Sequence, residues 1–183
     1  MQKSAQKQFD ELVAPHLDIL FRMAYRLVRN TADAQDLVQE TCLTACGSLA
    51  AIAAADSPRR WLLRVQHNRF IDTSRRRGRS PVVAAEEIEQ IETVASDLPD
   101  PEQMLQQFQS EALLERAFLQ LDSMQRTLLS LRAEGYELPE IEAITGLDRN
   151  VLSNRLYRAR LRMTQLMADM NCETSSRQIG RRK

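Results

Sequence analysis

Apolar residues recur at helical spacing through two long stretches of this chain, and between them the periodicity fades. In the first stretch Phe9, Leu12, Val13, Leu17, Leu20, Phe21, Ala24, Leu27 and Val28 lie on one helical stripe, which Pro15 must break or kink. Asn30, with Asp33 three residues on, reads as the cap of a second helix reaching about Leu49. The segment Leu49–Asp56 is ambiguous between helix end and loop. Ser57 followed by Pro58 opens a third helix carrying Trp61, Leu62, Val65, Phe70 and Ile71. From 81 to 107 Pro81, Pro99 and Pro101 punctuate an acidic stretch, read as a flexible linker.

Helical spacing resumes with Leu113, Leu114, Ala117, Phe118 and Leu121. Asp122 and Gln125 form a capping-box pattern for a helix over Ser123–Ala133, which Gly135 ends. Pro139 suits the first turn of a short helix from Glu140 to about Thr145, Gly146 makes a turn, and Asp148 caps a last helix from Arg149 to about Met167. Only 5 glycines, 6 prolines and 5% aromatics favour helix over sheet. The expected fold is all-α: small helical domains at 1–80 and 108–168, an acidic linker at 81–107, and a disordered polar tail at 169–183.

The formal net charge is zero, but the signs are segregated. Arg59 to Arg79 holds eight arginines and one acid, Asp72; Ser80 to Glu115 holds nine acids and no Lys or Arg; Arg149 to Arg162 holds five arginines and no acid. Two basic blocks on helices, each with its own apolar stripe, suit two surfaces that meet a polyanion. A solvated arginine face is the plainer alternative for either block taken alone.

In the second block, Ile141, Ile144, Leu147, Leu152 and Leu156 around Gly146 fit a helix-turn-helix, with Leu152, Leu156, Ala159 and Met163 inward. Arg149, Asn150, Ser153, Asn154 and Tyr157 are then candidates for base edges or nearby phosphates, and Arg155, Arg158 and Arg160 for phosphate contacts. An ordinary helical hairpin with an exposed arginine face stays open as the alternative.

Three motifs in order resemble the extracytoplasmic-function (ECF) group of bacterial RNA polymerase sigma factors. Ala32 to Thr41, with Asp36-Leu-Val-Gln-Glu40 at its centre, resembles the group's polymerase-binding helix. Trp61 to Asn68, followed by Ile71-Asp72 and Arg75-Arg76-Arg77, is similar to its minus-ten helix. Gly135 to Arg160 resembles its minus-thirty-five helix-turn-helix. The resemblance covers about residues 8–167 and implies a promoter-recognition subunit that binds core RNA polymerase and promoter DNA under the control of an anti-sigma factor.

It further implies that Asp33, Asp36, Gln39 and Glu40 face a basic coiled coil of the polymerase. Asn68 and the loop at about Leu49–Pro58 match positions that capture a flipped base, and Arg60, Arg64, Arg69, Asp72, Arg75 and Arg76 complete the minus-ten surface. Trp61 is read as core rather than as a stacking platform. The chain departs from the group at Glu142, where a small residue is usual, at Asn150-Val-Leu-Ser-Asn154, where Ser153 replaces a lysine-type position, and in the alanine-rich loop near Leu49–Ala55. These departures bear on base preference.

Nothing in the sequence supports catalysis, a cofactor, a metal site or a small-molecule substrate. His16 and His67 lie on separate helices, and Cys42 and Cys46, one turn apart, read as small apolar residues. The longest apolar run, Leu49–Ala55, is too short to span a membrane, and the first twelve residues lack a signal-peptide core. The expected location is the cytoplasm, on the nucleoid when bound to polymerase. Two rivals are a sigma-like decoy that binds only an anti-sigma factor, which would not need the arginine blocks, and a stand-alone helix-turn-helix regulator, which would not need the Asp36–Glu40 element.

Overall fold

The computed structural model describes residues 2–78 and 111–180, with side chains described for 5–77 and 111–170. The expected linker, 81–107, lies outside the described residues. Among those residues there is helix and turn but no strand.

Pro15 does interrupt the first stripe: α1 (Gln2–Leu12) gives way to a 3-10 turn at Ala14–His16 and then α2 (Leu17–Val28). Arg29 closes α2 in the left-handed conformation at φ 55°, a position usually left to glycine. Asn30 takes extended backbone and its side chain accepts from the Asp33 amide at 2.9 Å, starting α3 (Thr31–Cys46). The ambiguous alanine-rich segment holds a short helix, α4 (Leu49–Ala53). Ser57 Oγ accepts from the Arg60 amide and opens α5 (Pro58–Gly78).

After helix α6 (111–119), α7 (Ser123–Ala133) begins with a complete Asp122–Gln125 capping box. In α8 (Leu138–Thr145) the first turn starts two residues before Glu140, and the Glu140 carboxylate accepts from the Glu137 amide at 3.0 Å. The last helix, α9, runs from Arg149 to Gly180. It does not stop near Met167, because Leu166 and Met170 are buried against Ala117 and Leu121 and carry the apolar stripe onward. The expected tail at 169–183 therefore begins inside this helix.

The largest cluster of buried side chains joins both halves of the chain. Val13, Leu20, Met23, Ile52, Leu62 and Leu63 pack in one core with Leu128, Leu131, Tyr136, Ile141, Ile144, Leu152 and Leu156. A second cluster, Ala24, Leu27, Ala34, Leu37, Phe70 and Ile71, holds α2, α3 and α5 together. Each fully buried leucine or isoleucine contributes about 1.5–3 kcal/mol relative to exposure. The seam between the halves is formed where α5 meets α7 and α8, and where α2 meets α7.

Candidate nucleic-acid and protein-binding surfaces

The helix-turn-helix forms as expected. Gly146 sits at φ 71°, its amide closing on the Glu142 carbonyl at 2.8 Å, and an L side chain there would be strained. The Asp148 carboxylate accepts from the Asn150 amide at 2.9 Å and starts α9. Leu152, Leu156 and Ala159 point into the core, while Met163 is half-buried. The candidate contact residues Arg149, Asn150, Ser153, Asn154, Arg155, Tyr157, Arg158 and Arg160 are all exposed. Ser153 donates its hydroxyl to the Arg149 carbonyl. None of the four arginines is in an ion pair among the described residues. Tyr157 is 67% exposed. Glu142 is half-buried and likewise outside any ion pair among the described residues.

On α5 the inner face is Leu62, Leu63, Gln66, His67, Phe70 and Ile71. Arg64, Asn68, Asp72, Arg75 and Arg76 recur at three- and four-residue spacing and are exposed, forming one outward stripe. Arg69 is exposed beside it and reaches Thr44 Oγ1 at 3.0 Å, while Arg60 is half-buried. Trp61 packs partly buried against the large core, in agreement with its reading as a core residue. Arg64 also approaches the helix-turn-helix: its Nη2 lies 3.9 Å from where a Cβ on Gly146 would sit.

Two inner residues of α5 are polar. The Gln66 amide donates to the Leu20 carbonyl at 2.9 Å. His67 Nδ1 is 3.3 Å from Thr127 Oγ1, whose own proton goes to the Ser123 carbonyl. The neutral imidazole therefore donates from Nδ1. Burial pulls the His67 pKa down to about 4.

On α3, Asp36, Gln39 and Glu40 are exposed along one face. Leu43 continues that face one turn on and is 67% exposed, a feature that its apolar character hid in the sequence. Asp33 is different: the Arg77 guanidinium grips both its oxygens at 3.0 Å. That hydrogen bonding, with the guanidinium charge and against partial burial, holds the Asp33 carboxyl below its ordinary value. Arg77 belonged to the arginine block but not to the expected contact set.

A cleft of about 270 Å³ runs between α3 and α5, and Asp33, Asp36, Glu40, Phe70, Arg77 and Arg126 line it. Arg126 reaches it from α7, in the other half of the chain. Its Nη1 donates to the Leu27 carbonyl at the end of α2 at 2.8 Å, and its Cζ lies 5.2 Å from the Phe70 ring centroid. Burial pulls the Arg126 pKa below the ordinary arginine value, against the opposing pull of Asp122. No pattern in the sequence singled out this residue, since a lone arginine on an amphipathic helix reads as a solvated one.

Around the same seam Arg26 meets Glu134 at 3.0 Å, Arg22 meets it at 3.8 Å, and Arg29 meets Glu115 at 2.7 Å. Arg59 stacks over the Tyr136 ring at 4.9 Å. Cys42 is partly buried but Cys46 is exposed, which corrects their joint reading as buried apolar residues: position 46 falls on the outer face of α3. Among the described residues no group of three or more His, Cys, Asp or Glu side chains could hold a metal, and no helix is long and apolar enough to cross a membrane.

Comparison with known proteins matches residues 12–80 to the family model Sigma-70 region 2. The ECF RNA polymerase sigma factor SigE of Mycolicibacterium smegmatis is 33% identical over 174 residues, spanning 94% of this chain and 66% of that protein. RNA polymerase sigma factor CnrH of Cupriavidus metallidurans is 31% identical over 167 residues, 88% of this chain and 87% of that protein. Among solved structures, the sigma factor RpoE in complex with the anti-sigma factor NepR from Bartonella quintana superposes with a TM-score of 0.66 at 25% identity, covering 88% of this chain and 98% of that one. With the exposed acidic face of α3, the arginine stripe of α5 and the helix-turn-helix opening α9 in the expected order, these matches place the chain in the ECF family of RNA polymerase sigma factors.

Proposed function

We propose that this sigma factor docks on core RNA polymerase through α3 and reads promoter DNA through two separate surfaces. Asp36, Gln39 and Glu40 present two carboxylates and an amide to a basic partner, and Asp33 contributes once Arg77 yields it. The outward stripe of α5, with Arg60, Arg64, Asn68, Arg69, Asp72, Arg75 and Arg76, takes the minus-ten strand. Asn68 has the amide to read an extruded base, and the arginines hold phosphates. The N-terminal turns of α9 enter the major groove at the minus-thirty-five element, where Asn150 and Asn154 read edges and Arg155, Arg158 and Arg160 hold the backbone. The protein works in the cytoplasm as a non-enzymatic subunit, on the nucleoid when in holoenzyme. An anti-sigma factor restrains it, a reading supported by the complex of the RpoE relative with the anti-sigma factor NepR.

The observation that carries this reading is the exposure of all eight candidate residues on α9 while the apolar face behind them is buried. The test is transcription from fragmented genomic DNA by purified core polymerase with this subunit. Discrete starts sharing upstream elements are expected, and Asp36→Lys is expected to abolish core binding and all starts. Loss of the starts with core binding intact would favour a decoy, and starts independent of Asp36 would remove the role given to α3.

A further inference from the structure

Two free thiols stand one helical turn apart on α3. Cys46 is the last residue of the helix and is exposed, whereas Cys42 is partly buried and packs against the largest cluster of buried side chains. Residues four apart on a helix lie one above the other on the same face. The sulfurs are close enough to influence each other: burial, and after it the neighbouring Cys46, pushes the Cys42 thiol above its ordinary value. The pair therefore has an inner sulfur fixed by packing and an outer sulfur open to solvent. Neither DNA-reading surface uses it.

The spacing decides what the pair can hold. Cβ atoms four residues apart on a helix stand about 5–6 Å from each other, whereas a direct disulfide needs them within about 3.5–4.5 Å. Because α3 runs unbroken through both residues, the pair is too wide for an S–S bond and wide enough for one atom between the sulfurs. Hard cations prefer oxygen, and zinc takes at least three protein ligands. Among the described residues no third His, Cys, Asp or Glu completes such a set. What remains is a soft acceptor satisfied by two sulfurs, such as Cu(I), Hg(II) or a trivalent arsenical. The position also suits a cation: the last turn of α3 carries no basic residue of its own against its partly negative carbonyl end, although Arg69 of α5 reaches that turn at Thr44 Oγ1.

We propose that Cys42 and Cys46 form a chelating dithiol site for a soft, thiophilic metal or metalloid ion, and that its occupancy competes with polymerase docking. Cys46 continues the exposed face of Gln39 and Leu43 at four- and three-residue steps, so a bound ion stands at the end of the face given to the polymerase. This second part rests on the docking role of α3 given above. With an arsenical of the form R–As=O the step balances without a change of oxidation state. Two S–As bonds form, the arsenic–oxygen bond breaks, and both thiol protons leave with the oxygen as water.

The test uses the full chain carrying Cys172→Ser, which leaves the two thiols of α3, and phenylarsine oxide as the probe. One arsenical per chain is expected to consume both titratable thiols, to stay bound through excess mercaptoethanol and to leave with ethanedithiol. Cys42→Ser and Cys46→Ser, each with one sulfur remaining, are expected to bind about 10²–10⁴-fold more weakly, the gain that effective concentration gives a linked second ligand. After free arsenical is removed, the loaded chain is expected to bind core polymerase about tenfold more weakly, the scale of one lost interface anchor. Ethanedithiol should restore that binding, and the same treatment should leave core binding by Cys46→Ser where it was before treatment. Consumption of a single thiol, or release by mercaptoethanol, would overturn the chelate. Tight chelation with unchanged core binding would overturn the competition. A chain that binds no core even when free of arsenical would remove the functional reading, while retention through mercaptoethanol would still establish the chelate.

Discussion

The interior of the first half and the seam between the halves are built by different rules. Within α2, α3 and α5 the buried polar groups are paired: Gln66 with the Leu20 carbonyl, Thr41 with the Leu37 carbonyl. At the seam Arg126, Ser130 and Tyr136 each keep a buried atom without a partner among the described residues, and charges carry part of the contact. Apolar packing is continuous across both. A satisfied interior resists opening everywhere, whereas an unsatisfied seam has a preferred line of parting. The difference teaches that burial alone does not mark a permanent contact; the bookkeeping of its polar atoms does.

The sharpest way to break the comparison is to damage the satisfied side. Leu20→Ala, at a side chain with no exposed surface, should cost about 3–5 kcal/mol and unfold the first half and the seam together, as read by chemical denaturation. A seam that melts while the first half stays folded would show that the two are less coupled than their common core implies.

Acid should act on the seam through His67. Its pKa falls from 6.5 to about 4 on folding, so the unfolded chain binds the extra proton first as pH drops. Stability is retained above the unfolded value and is lost progressively between pH 6.5 and 4. The loss between pH 7 and pH 5 should be about 2 kcal/mol by linkage. His67→Gln should flatten the denaturation midpoint across that window, and an unchanged slope would show that the ring is not desolvated.

The smallest effect expected is a gain. Tyr136→Phe removes a buried hydroxyl that makes no well-formed hydrogen bond among the described residues and has only the nearby Arg59 guanidinium beside it. Thermal unfolding should move upward, by about 1 kcal/mol of stability. A loss of similar size would mean that the hydroxyl is satisfied, by Arg59 or by water.

Much of this was legible in the sequence because local signals act locally. Asn30, Ser57, Asp122 and Asp148 cap the helices they were expected to cap, and Gly146 turns where expected. The outward residues of α9 follow from which positions Leu152, Leu156 and Ala159 leave free. What was not legible depends on which surface meets which. The periodicity of Leu63, Leu128 and Leu131 declares an apolar face but not its partner, so the shared core between halves was not foreseen. Arg77 and Arg126 were hidden for the same reason, because their roles come from Asp33 and Leu27, 44 and 99 residues away. The end of α9 was misjudged because Met170 earns its place from α6, not from its neighbours in the chain.

The length of α9 has a practical consequence. From Arg160 to Gly180 the helix runs on for about 30 Å at 1.5 Å per residue. A fluorophore attached at its far end would sit well clear of the proposed contact residues at its start, yet turn with them like a pointer on a shaft. Anisotropy and orientation measured there would report how α9 moves when promoter DNA is added, without touching the residues proposed to contact it.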